Sequence, residues 1–188
     1  MKLVPFWPYR FERVDGDPAA VSVTRLTSDG PVTALAGRTS VESVEGVVDV
    51  LDGPDDPEWL IETSGYSSLW PAGFTIESPT DPEEPVRFYL FGDGEAMIYP
   101  QGPVHADRVS GPRDLAGDGQ QVIATRHVGD VDVVELAYEH GGGDWWQAHW
   151  LVPYGDERTL VISAQAPIAR ADATRVAAEL VATTMRVV

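Results

Sequence analysis

The chain has 188 residues, 43% of them hydrophobic, with 30 acidic side chains against 13 basic ones and a net charge of −17. That length and composition suit a single globular domain, and the charge excludes binding to DNA, RNA or an anionic membrane through a basic face. There is no cysteine, which removes disulfides, zinc–thiolate sites and thiol nucleophiles from consideration.

The opening stretch MKLVPFWPYRFERVDG has no apolar run long enough for a secretory signal. Nowhere does the chain approach the ~20 apolar residues of a membrane-spanning helix. The expectation is a soluble, cytoplasmic protein. Trp7, Tyr9 and Phe11 alternate with Pro8 and Arg10, a pattern for an edge strand, where proline is tolerated. Val21–Leu26 follows the turn signal Asp15-Gly16-Asp17-Pro18 and reads as a strand. Val41–Leu51 alternates like a half-buried strand, with Gly46 as a bend. The acidic run Asp52–Glu58 lacks the spacing of a calcium-binding loop and predicts a solvated turn. Trp59-Leu60-Ile61 begins a short strand or a helical turn, so residues 1–65 form a strand-rich extension.

Trp70–Ile76 predicts another strand. Val86–Phe91 and Glu95–Tyr99 flank Gly92-Asp93-Gly94 as a hairpin, and residues 100–120, rich in glycine and proline, predict the longest irregular segment. Gln121–His127 then leads through Gly129-Asp130 into the last third of the chain.

That last third predicts three antiparallel strands, Val131–His140, Asp144–Val152 and Thr159–Ala166, followed by one helix. The helix is carried by Ala173, Val176, Ala177, Leu180, Val181 and Thr184, which share one face at helical spacing. If the glycine-rich loop pairs His140 with Trp145, one sheet face carries Val134, Leu136, His149, Leu160 and Ile162, the aliphatic side on which the helix should sit. The opposite face carries Glu135, Glu139, Trp146 and Trp150.

Two parts of the chain resemble the PsbP-like fold, shared by an extrinsic photosystem II protein and a Ran-binding nuclear transport factor. Ala72-Gly73-Phe74-Thr75-Ile76, with Pro79 after it, resembles that family's opening strand. Residues 131–187 resemble its closing hairpin, its last strand ending in Ala166-Pro167, and its C-terminal helix. The resemblance covers about residues 70–188. It implies an antiparallel sheet with helices packed on it, used as a non-catalytic binding scaffold, and it transfers no active-site residues. A tryptophan expected soon after Pro79 is replaced by Thr80-Asp81-Pro82-Glu83-Glu84.

Catalytic motifs are absent: there is no G-x-S-x-G, no P-loop and no G-x-G-x-x-G opening a helix. His140, Asp144 and His149 lack metal-ligand spacing, and His105-Ala106-Asp107 has no nucleophile beside it. No metal and no cofactor is expected. Trp146 and Trp150 beside Glu135 and Glu139 carry the aromatic and acidic chemistry that receives an Arg or Lys of a partner. A layer built from residues 1–65 would instead make the tryptophans core.

The reading is an α+β fold over 1–188, an antiparallel sheet with the C-terminal helix on one face. The function expected is that of a non-enzymatic, acidic binding protein engaging a basic protein partner, for example in neutralising a basic toxin or nuclease. The alternative is a small-molecule or carbohydrate binder, or a hydrolase, on the Trp146/Trp150 face. There Glu135 and Glu139 would act as paired carboxylates at the ~7 Å of an inverting site.

Overall fold

The computed structural model describes residues 2–3, 9–26, 32–37, 40–41, 59–79, 81, 83–109 and 112–188. Fifteen strands and one α-helix run in chain order among them. The strands of the first half are β1 (Lys2–Leu3), β2 (Tyr9–Val14), β3 (Asp17–Arg25), β4 (Val32–Gly37), β5 (Ser40–Val41), β6 (Leu60–Glu62), β7 (Tyr66–Leu69), β8 (Thr75–Glu77) and β9 (Tyr89–Phe91). Then come β10 (Met97–His105), β11 (Gln121–Val128), β12 (Val131–His140), β13 (Gly143–Pro153), β14 (Arg158–Pro167), α1 (Ala171–Thr184) and β15 (Arg186–Val187). The α+β expectation is met: the large sheet is antiparallel throughout, in the order β11-β12-β13-β14-β10-β9-β8-β2-β3-β4-β5. A small sheet has the order β1-β6-β7-β15.

Strand alternation divides the large sheet into two unlike faces. One carries Phe11, Val23, Ile76, Leu90, Ile98, Val133, Trp146, Trp150, Leu160 and Ile162, none more than 3% exposed. The helix and the small sheet cover it, the latter contributing Trp59, Ile61 and Tyr66, with Trp70 just past its third strand. Burying each of these side chains contributes about 1.5–3 kcal/mol, so this face drives folding.

Several expectations change in the structure. The β12–β13 hairpin turns on Gly141 and Gly142, both at positive φ, which glycine adopts without a Cβ clash. Trp145 therefore opposes Tyr138 rather than His140. A shift of two residues keeps every side chain on its expected face. The third strand differs by one: Ile162 opposes Trp150 and Ala164 opposes Ala148, so the aliphatic side chains of β14 join the tryptophans. The helix follows them.

The helix is also turned. Ala171, Thr174, Ala177, Ala178, Val181 and Ala182 are buried, whereas Val176 and Leu180 are exposed. This is a rotation of about one residue, ~100°. The indoles of Trp146 and Trp150 fill the layer beneath, and alanines let the backbone approach over them. β2 is an interior strand between β3 and β8 instead of an edge, so the N-terminal strands continue the large sheet. Of the expected Trp70–Ile76 strand only Thr75 and Ile76 are extended, within β8, and part of the supposed irregular stretch is strand, since β10 runs to His105. Most of Val41–Leu51 and all of Asp52–Glu58 lie outside the described residues.

Candidate functional site

The structure places the four residues singled out in sequence in two different settings. Trp146 and Trp150 have no exposed surface, and Glu135 is 6% exposed, all beneath the helix. Glu135 and Trp146 form a clamp rather than a partner site, with Trp150 packed against Trp146. Glu135 Oε1 accepts from Arg126 Nε at 3.0 Å, and its Oε2 accepts from Trp146 Nε1 at 2.9 Å and Arg175 Nε at 3.1 Å. Arg126 Nη2 donates on to Glu179 Oε2 at 2.6 Å, and the Arg175 guanidinium lies 5.1 Å over the Trp146 ring.

Burial alone would raise the Glu135 pKa, but the bonds from Trp146, Arg126 and Arg175 together outweigh it and hold the carboxyl below its ordinary value. β11, β12, β13 and the helix are thus tied at one buried carboxylate. The C-terminal helix lies over the tryptophans, and the small sheet, with β1 and β6 from residues 1–65, shares the cover of that face. Glu139 is exposed near the strand end, directly across from Asp144.

The paired-carboxylate idea fails on two counts. Four residues of strand separate Glu135 from Glu139 by ~13 Å at ~3.3 Å per residue, beyond the inverting range. A carboxyl held ionised by two guanidinium groups also has no proton to give as a general acid. His105 and Asp107 lie 3.9 Å apart, both exposed, and among the described residues no cluster of His, Asp and Glu could hold a metal ion.

The opposite face of the same sheet has a different character, and sequence reasoning assigned it to the core. Tyr89, Tyr99, Tyr138 and Trp145 stand half-buried on it, with Phe91 exposed. They form two aromatic groups. Over β9 and β10, Tyr89 lies 5.8 Å from Phe91 and 5.7 Å from Tyr99. Over β12 and β13, Trp145 lies 6.1 Å from Tyr138 and 5.5 Å from His140.

Carboxylates border the first group. The Tyr89 hydroxyl donates to Glu84, and burial, with Glu84 beside it, pushes that phenol up to about 12. Glu77 and Glu12 follow on β8 and β2, Glu77 accepting from Arg10 Nε at 2.6 Å.

Between the aromatic groups runs a chain of polar side chains. Gly117 N–H donates to Gln120 Oε1 at 2.8 Å, Gln120 Nε2 to Gln147 Oε1 at 2.5 Å, and Gln147 Nε2 approaches His149 Nε2 at 3.2 Å. His149 Nδ1 meets Ser163 Oγ at 2.9 Å, and Ser163 donates to Gln101 Oε1 at 3.0 Å. His149 is 6% exposed, and burial lowers its pKa to about 4. It is neutral near pH 7. The alternation of Tyr89, Phe91, Tyr99 and Tyr138 with core residues was the available sequence signal. It was masked because the same residues serve equally well as core.

No family model and no curated protein matches the chain. Among solved structures it is similar to LpqN, described as involved in cell envelope biogenesis of Mycobacterium tuberculosis. That match has 15% identity and a TM-score of 0.46, over 71% of this chain and 87% of that one. It is also similar to the cyanobacterial PsbP, CyanoP, of Synechocystis sp. PCC 6803. There the identity is 14% and the TM-score 0.32, over 66% of this chain and 88% of that one. A PsbP structure thus stands among its neighbours. Neither likeness bears on function. No helix among the described residues is long and apolar enough to cross a membrane.

Proposed function

We propose that this is a non-enzymatic binding protein that engages a basic protein partner, and that it does so with the sheet face turned away from the helix. The observation that carries the reading is the half-exposed aromatic set on that face, Tyr89, Tyr99, Tyr138 and Trp145 with Phe91, bordered by Glu12, Glu77 and Glu84. Tyrosine and tryptophan are enriched in interaction hot spots, and an aromatic ring beside a carboxylate offers an Arg or Lys side chain both cation–π and ionic contact. The net charge of −17 speeds the approach of a cationic partner. From β12 to β2 the face spans six strand spacings, roughly 25–30 Å, the scale of a protein footprint rather than of a small ligand.

The test is calorimetric titration with an arginine-rich peptide at low and at physiological salt. Binding that weakens with salt and is reduced severalfold in Tyr99→Ala supports the reading. Absence of binding, or binding unaffected by Tyr99→Ala, contradicts it.

A second reading has one observation of its own. Gln101, Gln147 and Gln165 lie between the aromatic groups, and amides beside aromatic rings are the chemistry that holds sugar hydroxyls. Carbohydrate binding on this face would barely respond to salt, which separates it from the first.

A further inference from the structure

The direction of every hydrogen bond in the His149 chain is fixed from one end. A backbone N–H can only donate, so Gly117 sets Gln120 Oε1 as acceptor. Gln120 must then present its NH2 group to Gln147 Oε1, and Gln147 its NH2 group to His149 Nε2. Nε2 is therefore the bare acceptor, Nδ1 carries the proton, and Nδ1–H donates to Ser163 Oγ, which donates to Gln101 Oε1. One neutral tautomer satisfies all five contacts.

A second proton on His149 breaks this order. Nε2–H would face the Gln147 NH2 group, donor against donor. Gln147 relieves the conflict by turning its amide over, which places its NH2 group against that of Gln120. If Gln120 turns in response, its NH2 group faces Gly117 N–H, and that bond is lost.

We propose that this chain is an acid-sensitive relay, in which protonation of His149 turns over the Gln147 and Gln120 amides and frees the Gly117 amide at the turn leading into β11. The relay joins the turn before β11 to three adjacent strands of the proposed binding face, β13, β14 and β10. Its operation does not depend on which partner that face takes.

The surroundings of His149 leave the relay as the path for this change. Val134 faces it from β12 and Ser163 from β14, with Gln147 and Leu151 beside it on β13 and Tyr99 and Gln101 beyond on β10. Tyr99 is the titratable group in that set, and burial raises its pKa, so it stays neutral through the acid range. No carboxylate among the described residues contributes to the depressed His149 value; burial alone accounts for it.

The experiment is an NMR pH titration that follows the His149 ring nitrogens, the Gly117 amide proton and the buried backbone amide of Ile162. It is run on the wild-type protein and on Gln120→Ala. In the wild type the Gly117 resonance should move with the same midpoint as the His149 ring while the Ile162 amide stays protected. In Gln120→Ala, Gln147 turns without opposition, so the His149 midpoint should rise by about one pH unit. A Gly117 resonance that is flat through the His149 titration would overturn the proposal, as would an unchanged midpoint in Gln120→Ala. Loss of Ile162 protection at or before the His149 midpoint would overturn it too, because unfolding would then be the response to acid.

Discussion

Trp145 and Trp146 are neighbours in sequence, and they belong to opposite worlds. Trp146 has no exposed surface, donates to Glu135 and lies under Arg175. Trp145 is half-buried on the other face, against Tyr138 and His140. The same contrast runs through their polar companions. Beneath the helix the sheet buries a charge, Glu135, and neutralises it with two arginines. On the other face it buries a neutral imidazole, His149, and orders it with amides and a hydroxyl. A buried charge needs opposite charges to be tolerable, and its pairs join separate elements into one unit. A neutral relay has no such requirement.

The largest expected effect breaks the covered face. Trp146→Ala should cost about 3–5 kcal/mol in urea unfolding, from the cavity and from the lost donor to Glu135. Trp145→Ala should cost about 1 kcal/mol or less. Comparable losses from the two would mean that both faces are core.

Next comes the ion clamp. Glu135→Ala removes the carboxylate shared by Arg126 and Arg175, and should destabilise by about 2–3 kcal/mol because both guanidinium groups keep partial access to water. A substitution measured as neutral would show that the clamp contributes nothing to holding the helix on the sheet.

pH separates the two buried groups. The folded-state pKa of His149, about 4, lies below its unfolded value near 6.5. The unfolded chain therefore binds the extra proton first. The stability is full above pH 6.5 and falls by up to about 3 kcal/mol as pH drops toward 4. Glu135 is depressed as well, so its contribution is full above its ordinary carboxyl value and is lost only as pH falls through the lower folded value. Unfolding curves between pH 7 and 4 should lose their slope in His149→Leu and keep it in Glu135→Gln. The reverse pattern would exchange the roles assigned here.

The smallest effect lies on the outer side of the helix. Val176 is 72% exposed, and Val176→Ser should change stability by no more than about 0.5 kcal/mol. A larger loss would restore the helix face read from the sequence.

The strands of the last third were legible because β-branched and aromatic runs are punctuated by glycine, and Gly141-Gly142 marks the hairpin almost to the residue. Which face the helix covers was not. Val134, Leu136, Tyr138 and His149 look as suitable for a core as Trp146 and Trp150, and a one-residue register difference in β14 moved Leu160 and Ile162 to the other side. The helix misled for a related reason. Val176 and Leu180 dominate its hydrophobicity, yet tight packing over two indoles selects the alanines. Glu135 was noticed for its charge, but the arginines that neutralise it come from β11 and α1, 9 and 40 residues away in the chain. The His149 relay draws on the turn before β11 and on β10, β13 and β14, a set that no local spacing reveals.

The most direct test of binding on the face away from the helix is to titrate an arginine-rich peptide into Trp145→Ala and into Trp146→Phe, with folding of each variant checked by circular dichroism. Trp145→Ala should weaken binding severalfold while remaining folded, and Trp146→Phe should bind as the wild type does. Loss of binding in folded Trp146→Phe together with unchanged binding in Trp145→Ala would contradict that placement.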